Sequence, residues 1–77
     1  MSPLPSLQRP EGLVGLVTGR VGPDTIGEVM VAIRGGIEAF YARPATDDDV
    51  LAIGDKALVV IYEPPRTVYV TMWEGGE

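Results

Sequence analysis

The densest group of side chains that could hold a metal ion is the acidic run Thr46-Asp47-Asp48-Asp49. Carboxylates suit calcium and magnesium, but a calcium site needs about six oxygen ligands in a defined loop, and no EF-hand spacing is present. A threonine followed by acidic residues, with Gly54 after the next apolar residues, is typical of a capped short helix. The sequence therefore predicts one short helix or 3₁₀ turn here and no metal site.

Catalytic chemistry has few side chains to draw on. The chain has no cysteine and no histidine, which excludes a zinc finger, a thiol nucleophile and a Ser-His-Asp triad. Its serines, Ser2 and Ser6, lie in a proline-containing tail, and Lys56 is the single lysine. The sequence predicts that this chain is not an enzyme and takes no cofactor.

The charge balance and the apolar runs exclude further classes. Six basic and eleven acidic residues give a net charge of −5, and the five arginines are scattered singly. A nucleic-acid binder normally carries a basic patch, because neutralising phosphates supplies most of its non-specific affinity. The longest apolar run, residues 57–62, is far shorter than the roughly 20 residues that span a bilayer. The N-terminus also lacks the pattern of a signal peptide.

Glycine and proline divide the rest of the chain into short β-rich segments. Residues 1–12 hold three of the seven prolines and show no periodicity, which indicates a flexible linker. Residues 13–74 are predicted to form one domain, and residues 75–77 a frayed end. The predicted strands cover residues 13–21, 27–34, 37–43, 56–63 and 67–73.

Two tight connections set the expected register. Gly35-Gly36 suits a two-residue hairpin, because glycine readily adopts positive φ. A two-residue connection at Pro64-Pro65 would pair the last two strands. The pairs that follow are Arg34/Ile37, Val31/Phe40, Val29/Ala42, Glu63/Arg66, Ile61/Val68, Val59/Val70 and Ala57/Met72.

The predicted fold is all-β, a five-stranded OB-type Greek-key barrel with the short helix or 3₁₀ turn between the third and fourth strands. The same strands could form an SH3-like barrel, but the position of the helix favours the OB-type arrangement. The expected core consists of Val17, Val29, Val31, Phe40, Ala42, Val59, Ile61, Val68 and Val70. Tyr41 then points outwards.

The outer face of the last two strands is the candidate binding site. In the expected register it carries apolar side chains where alternation would place polar ones, and such exposed patches commonly mark interaction surfaces. Tyr and Trp are favoured anchors at such surfaces. The alternative is that another part of the chain covers this face. The candidate partner-binding residues are Leu58, Val60, Tyr62, Tyr69 and Trp73.

The order of weak glycine and apolar motifs resembles the C-terminal domain of the NfeD-like family of membrane proteins. The residues that carry this resemblance are Gly12, Gly15, Val17, Pro23, Gly27, Val29, Val31, Phe40-Tyr41-Ala42, Val50 to Gly54, Val59, Val60, Val68 and Val70. The resemblance implies an OB-type barrel joined by its N-terminal linker to transmembrane helices. It also implies partners among stomatin-, prohibitin- or flotillin-like membrane scaffold proteins.

Two classes of function remain open on the sequence alone. The first is a non-catalytic protein-interaction module, expected at the cell membrane in the full-length protein, with the barrel on the cytoplasmic face and itself soluble. The alternative is a single-stranded nucleic-acid-binding OB domain, with Tyr41 stacking on bases and Arg34 and Arg43 near the phosphates. A small-ligand barrel would need convergent polar groups, which the sequence lacks.

Overall fold

The computed structural model describes residues 9–75, which form five β-strands and no helix. Accordingly, this part of the chain contains no helix that could cross a bilayer. The strands follow the predicted segments closely. They are β1 (Val14–Gly19), β2 (Gly27–Ile33), β3 (Gly36–Pro44), β4 (Lys56–Glu63) and β5 (Thr67–Met72).

The five strands close into one barrel in the order β1-β2-β3-β5-β4, and β4 pairs back onto β1. The β3–β5 pair is parallel and the other four pairs are antiparallel. This non-sequential closure fits the predicted OB-type barrel, and the all-β class is confirmed. Every strand has two neighbours, but the ladders differ in length, and β5 pairs with residues 41–44 of β3 only.

All five strands contribute to the core, which consists mainly of β-branched side chains. Eight of the nine predicted core residues are buried, and the exception is Ile61, which is 53% exposed. Val21 and Leu51, from the connections, join the core and are fully buried. The buried hydrophobic residues are Val17, Val21, Val29, Val31, Ile33, Phe40, Ala42, Leu51, Ala57, Val59, Val68 and Val70.

The β2–β3 hairpin turns one residue earlier than predicted. Arg34 and Gly35 occupy the two loop positions, with φ of 55° and 79°, the pattern of a type I′ turn. Gly36 is therefore already in β3, opposite Ile33. The predicted pairs Arg34/Ile37, Val31/Phe40 and Val29/Ala42 are wrong; the structure pairs Ala32 with Ile37, Val29 with Phe40 and Gly27 with Ala42.

The β4–β5 pair contains a bulge that the sequence prediction lacked. Ala57 pairs with Met72 and Val59 with Val70, as predicted. Beyond Val59 the register shifts, so that Ile61 pairs with Tyr69, Tyr62 with Val68 and Glu63 with Thr67. One extra residue at Val60 reverses the faces of the residues after it. The predicted pairs Ile61/Val68 and Glu63/Arg66 are wrong, and Ile61 lies outside the core for this reason.

The helix predicted between β3 and β4 is absent. Thr46 and Asp49 form a turn in which the Asp49 N–H donates to the Thr46 carbonyl oxygen at 3.1 Å. Two residues later the chain is extended, because Leu51 exchanges two 3.0 Å backbone hydrogen bonds with Val21. These bonds occupy the groups that a helix would use, and burial of Leu51 in the barrel outweighs the local capping signal.

The chain just before β1 packs against the barrel. Pro10 is fully buried, and the Gly12 N–H donates to the Val59 carbonyl oxygen at 2.8 Å. The Arg9 guanidinium lies 5.2 Å from the centroid of the Tyr62 ring. Residues 9–12 of the expected linker thus contact the barrel, whereas residues 1–8 lie outside the described residues. Of the expected frayed end, Gly75 is exposed, and residues 76 and 77 are also outside the described part.

Candidate functional site

A continuous apolar surface covers the outside of the barrel across β4, β1, β2 and β3. Leu16 links two strands of this surface, since it pairs with Lys56 on β4 and Met30 on β2. The neighbouring row runs through Leu58 and Val14. We call this surface the outer apolar face. Its members are Val14, Leu16, Met30, Ala32, Ile37, Leu58 and Trp73.

The outer apolar face exists because β1 is apolar on both sides. Val17 points inwards and is fully buried, while Leu16 beside it points outwards and is 48% exposed. Gly15 lies under β2, where a Cβ atom would come within 2.7 Å of the Met30 carbonyl oxygen and 2.6 Å of Val29 Cγ2. Glycine therefore allows β2 to lie close to β1, and the side chains of the two strands form one surface.

Part of this surface is concave. A groove of about 540 Å³ is lined by Val14, Gly15, Leu16, Met30, Ala32, Ile37, Lys56 and Trp73. It is shallow and largely open to solvent, unlike the enclosed pockets that bury most of a small ligand. We call it the Trp73 groove. Lys56 is its one charged lining residue. The backbone N–H of Trp73 donates to the Lys56 carbonyl oxygen at 3.0 Å and fixes the chain at the end of β5.

The structure brings four of the five sequence-predicted binding residues to the outside of the barrel. Leu58 is half-buried, and it pairs with Val14 on one side and Thr71 on the other. Val60 is 44% exposed, and Trp73 is 37% exposed. Tyr69 is half-buried, and its hydroxyl donates to the Glu63 Oε1 atom at 3.2 Å.

Tyr62 lies on the other face. The bulge turns its ring towards the core, where it meets the Phe40 ring edge to face at 6.1 Å between centroids. Its hydroxyl donates to the Pro65 carbonyl oxygen at 3.1 Å. The prediction that Tyr62 lies on the outer face of the last two strands is therefore wrong. The extra residue at Val60 reverses the inward and outward positions of the side chains that follow it. Ile61 takes an exposed position instead.

The sequence prediction missed the larger part of the apolar surface, on β1 and β2. Its signal was present in the run Leu13-Val14-Gly15-Leu16-Val17, in which both alternating sets are apolar. On β2 the outward-facing residues Met30 and Ala32 are also apolar. A strand that is apolar on both faces must be covered by another element or present one apolar face to solvent.

Two of the three residues proposed for nucleic-acid binding, Arg34 and Tyr41, lie beside carboxylates. The Arg34 guanidinium donates to both Glu38 carboxylate oxygens, at 2.9 and 3.2 Å, and Arg66 reaches the same carboxylate at 3.3 Å. The hydrogen bond from Arg34 lowers the pKa of Glu38 below its ordinary value. Tyr41 is 59% exposed, but it pairs across the strands with Glu28. These carboxylates reduce the positive potential that a phosphate backbone would need.

Within the acidic run, the Asp49 carboxylate is engaged in structural hydrogen bonds. The Asp49 carboxylate accepts hydrogen bonds from the Thr71 hydroxyl at 2.7 Å and from the Thr46 hydroxyl at 2.9 Å. Desolvation acts to raise the pKa of Asp49, but the hydrogen bonds from Thr71 and Thr46 outweigh it and leave the pKa below its ordinary value. Within residues 9–75 there is no group of three or more metal-ligating side chains that could hold an ion.

Fold and surface together define an OB-type barrel with an apolar outer face. The family model of the NfeD C-terminal domain matches residues 14–71, which cover β1 to β5 up to Thr71. The chain therefore belongs to the NfeD C-terminal domain family. No curated protein matches the chain. Trp73 and the buried Pro10 lie outside the matched residues.

Proposed function

We propose that this chain is a non-catalytic protein-interaction module of an NfeD-like membrane protein. Its partner is a stomatin-, prohibitin- or flotillin-like membrane scaffold protein. The full-length protein would reside in the cell membrane, with the barrel on the cytoplasmic face. The observation that carries the proposal is the outer apolar face, which leaves Val14, Leu16 and Ile37 at 37%, 48% and 69% exposure.

An apolar surface of this extent favours a protein partner. The strands pair with one another around the closed barrel, so side chains on the outside offer a partner the largest surface. The single tryptophan and Tyr69 lie on that outside, and both residue types are frequent anchors at interfaces. The net charge of −5 disfavours polyanions as partners.

A binding experiment with defined partners tests the proposal. The immobilised chain is presented with purified stomatin-, prohibitin- and flotillin-like proteins, and affinity is measured by biolayer interferometry. We expect one of them to bind, and Leu16→Asp on the outer apolar face, like Val60→Asp and Tyr69→Ala, to weaken binding about tenfold, as for interface anchors. Val50→Asp is the matched control, since Val50 is 56% exposed in the β3–β4 connection.

Thermal unfolding of each variant separates lost binding from lost folding. Val60 is 44% exposed, so the midpoint temperature of unfolding of Val60→Asp should lie within a few degrees of that of the parent chain. If Val60→Asp unfolds the domain, Val60 belongs to the core and the candidate site is wrong. Binding of none of the three protein classes contradicts the proposed partnership.

A titration with labelled single-stranded DNA checks the alternative function. A nucleic-acid site would give an affinity that falls steeply with salt, because phosphate contacts release counterions. Tyr41→Ala would then weaken the binding. We expect no saturable binding at physiological salt. Tight, salt-sensitive binding that depends on Tyr41 would replace the proposed function with the nucleic-acid-binding one.

A further inference from the structure

The Trp73 groove comprises every member of the outer apolar face except Leu58. Val14, Leu16, Met30 and Ala32 line it from β1 and β2, and Trp73 lines it after the end of β5. Ile37, 69% exposed, lines it at the start of β3. A concave apolar lining can surround a projecting side chain, whereas a flat surface contacts one side of it only.

The backbone of the barrel limits what can occupy this groove. At the centre of the groove, Leu16 pairs with Met30 on one side and with Lys56 on the other, so the backbone there offers no free ladder for an added strand. An extended peptide placed there would leave its own backbone N–H and C=O groups without partners in an apolar site, which is costly. A helix satisfies its backbone groups internally and presents apolar side chains at positions i, i+3, i+4 and i+7.

The charge of the groove indicates a second property of the occupant. Lys56 is the only lysine of the chain and the only charged residue that lines the groove. Among residues 9–75, its ammonium group forms no ion pair. The chain as a whole carries −5, so a carboxylate on a partner is repelled by most of the surface and attracted at Lys56.

We propose that the Trp73 groove binds an amphipathic helix of the protein partner, with a carboxylate of that helix paired to Lys56. This inference rests on the proposed protein-interaction function and adds the kind of segment that is recognised. The apolar side chains of the helix supply most of the affinity. The Lys56 ion pair fixes the orientation of the helix and selects against basic segments.

The single tryptophan gives a direct readout, because Trp73 lines the groove. Two capped 18-residue helical peptides are titrated while Trp73 fluorescence is followed. Both carry Leu at i, i+3, i+4 and i+7, flanked by Glu in one peptide and by Lys in the other. We expect the Glu peptide to bind about fivefold more tightly, as a surface ion pair allows, and Lys56→Glu to reverse this preference.

Two variants test the groove itself. Ile37→Asp should abolish the change in Trp73 fluorescence, while Val50→Asp should leave it unchanged. Both side chains are exposed, so we expect both variants to stay folded. If neither peptide changes Trp73 emission, or if Lys56→Glu has no effect on the preference, the inference is wrong. In either case the proposed function stands wherever a scaffold protein still binds the chain.

Vesicles distinguish a lipid surface from a helix as the occupant. Phosphatidylcholine vesicles, with and without one quarter phosphatidylglycerol, are titrated under the same conditions. We expect no change in Trp73 emission. A change that needs phosphatidylglycerol and is lost in Lys56→Glu would assign the groove to an anionic membrane surface and overturn the helix proposal.

Discussion

The rings of Phe40 and Tyr62 meet edge to face, with centroids 6.1 Å apart and planes at 89°. The Arg66 guanidinium lies 5.4 Å from the centroid of the Phe40 ring, and Arg9 covers the Tyr62 ring. This stack closes the end of the barrel where the chain enters β1. It depends on the bulge at Val60, because without that extra residue Tyr62 would point away from Phe40.

Phe40 should be the largest single contributor to stability among the aromatic residues. It is 1% exposed, and Phe40→Ala would leave a cavity next to Tyr62, so we expect a loss of about 3–5 kcal/mol in the free energy of unfolding. Tyr41→Ala is the matched control, since Tyr41 is 59% exposed and should cost less than about 0.5 kcal/mol. Urea unfolding measures both. Equal losses would show that the structure assigns the wrong face to this strand.

The β2–β3 turn gives a second prediction, at two adjacent glycines. Gly35 has φ of 79°, where an added Cβ is strained, so Gly35→Ala should destabilise the protein by about 1–2 kcal/mol. Gly36 lies in β3, has no positive φ, and has no atom within 4 Å of an added Cβ. Gly36→Ala should therefore be neutral or slightly stabilising in thermal unfolding. The opposite order would favour a turn at Gly35-Gly36.

The sequence predicted which side of the β2–β3 hairpin is buried, although not its register. The observed pairing differs from the predicted one by two residues, and an even shift keeps each side chain on its face. Phe40 is therefore buried and Tyr41 exposed, as predicted. On β4, by contrast, one extra residue reverses the faces beyond Val60. The sequence there, Val59-Val60-Ile61, is uniformly apolar and gives no sign of the bulge.

Two further features depend on contacts between distant segments. The helix predicted after Thr46 has the local signals of a capped helix. Leu51 instead is buried in the barrel and pairs with Val21, and the sequence around Leu51 does not reveal this pairing. The Trp73 groove likewise needs the β1–β4 pairing, which brings Leu16 beside Lys56 from 40 positions along the chain. The sequence pattern of β1 could show that this strand is apolar on both faces, but it could not show which strands lie beside it.

Gly27 should tolerate no side chain. It begins β2 where β1 curls over it, and an added Cβ would lie under 3.0 Å from the carbonyl oxygens of Gly19 and Arg20. Because those atoms belong to the backbone, the strands must separate, and we expect Gly27→Ala to cost about 1–3 kcal/mol. Gly22→Ala is the control, as its nearest atoms lie at 3.8 and 3.9 Å. Similar midpoints in urea for the two variants would contradict this close approach.

Asp49 should make the domain sensitive to acid. Its carboxylate joins the β3–β4 connection to β5 by accepting hydrogen bonds from the Thr46 and Thr71 hydroxyls. The pKa of Asp49 in the folded state lies below its ordinary value of 3.8, so near this pH the unfolded chain binds more protons. The stability that Asp49 contributes is therefore fully present above about pH 4. It is lost as the pH falls through the folded pKa.

Asp49→Asn tests this contribution, because the amide keeps the shape of the side chain but does not titrate. At pH 7 we expect it to lower the free energy of unfolding by about 1 kcal/mol, a modest value because the carboxylate is partly solvated. Below pH 4 the difference from the parent chain should shrink, as protonation weakens the same hydrogen bonds in the parent. Asp47→Asn, at an exposed neighbouring position, should match the parent at pH 7. A difference between Asp49→Asn and the parent that stays constant from pH 7 to pH 2, measured by urea unfolding, would show that the ionised carboxylate does not stabilise this connection.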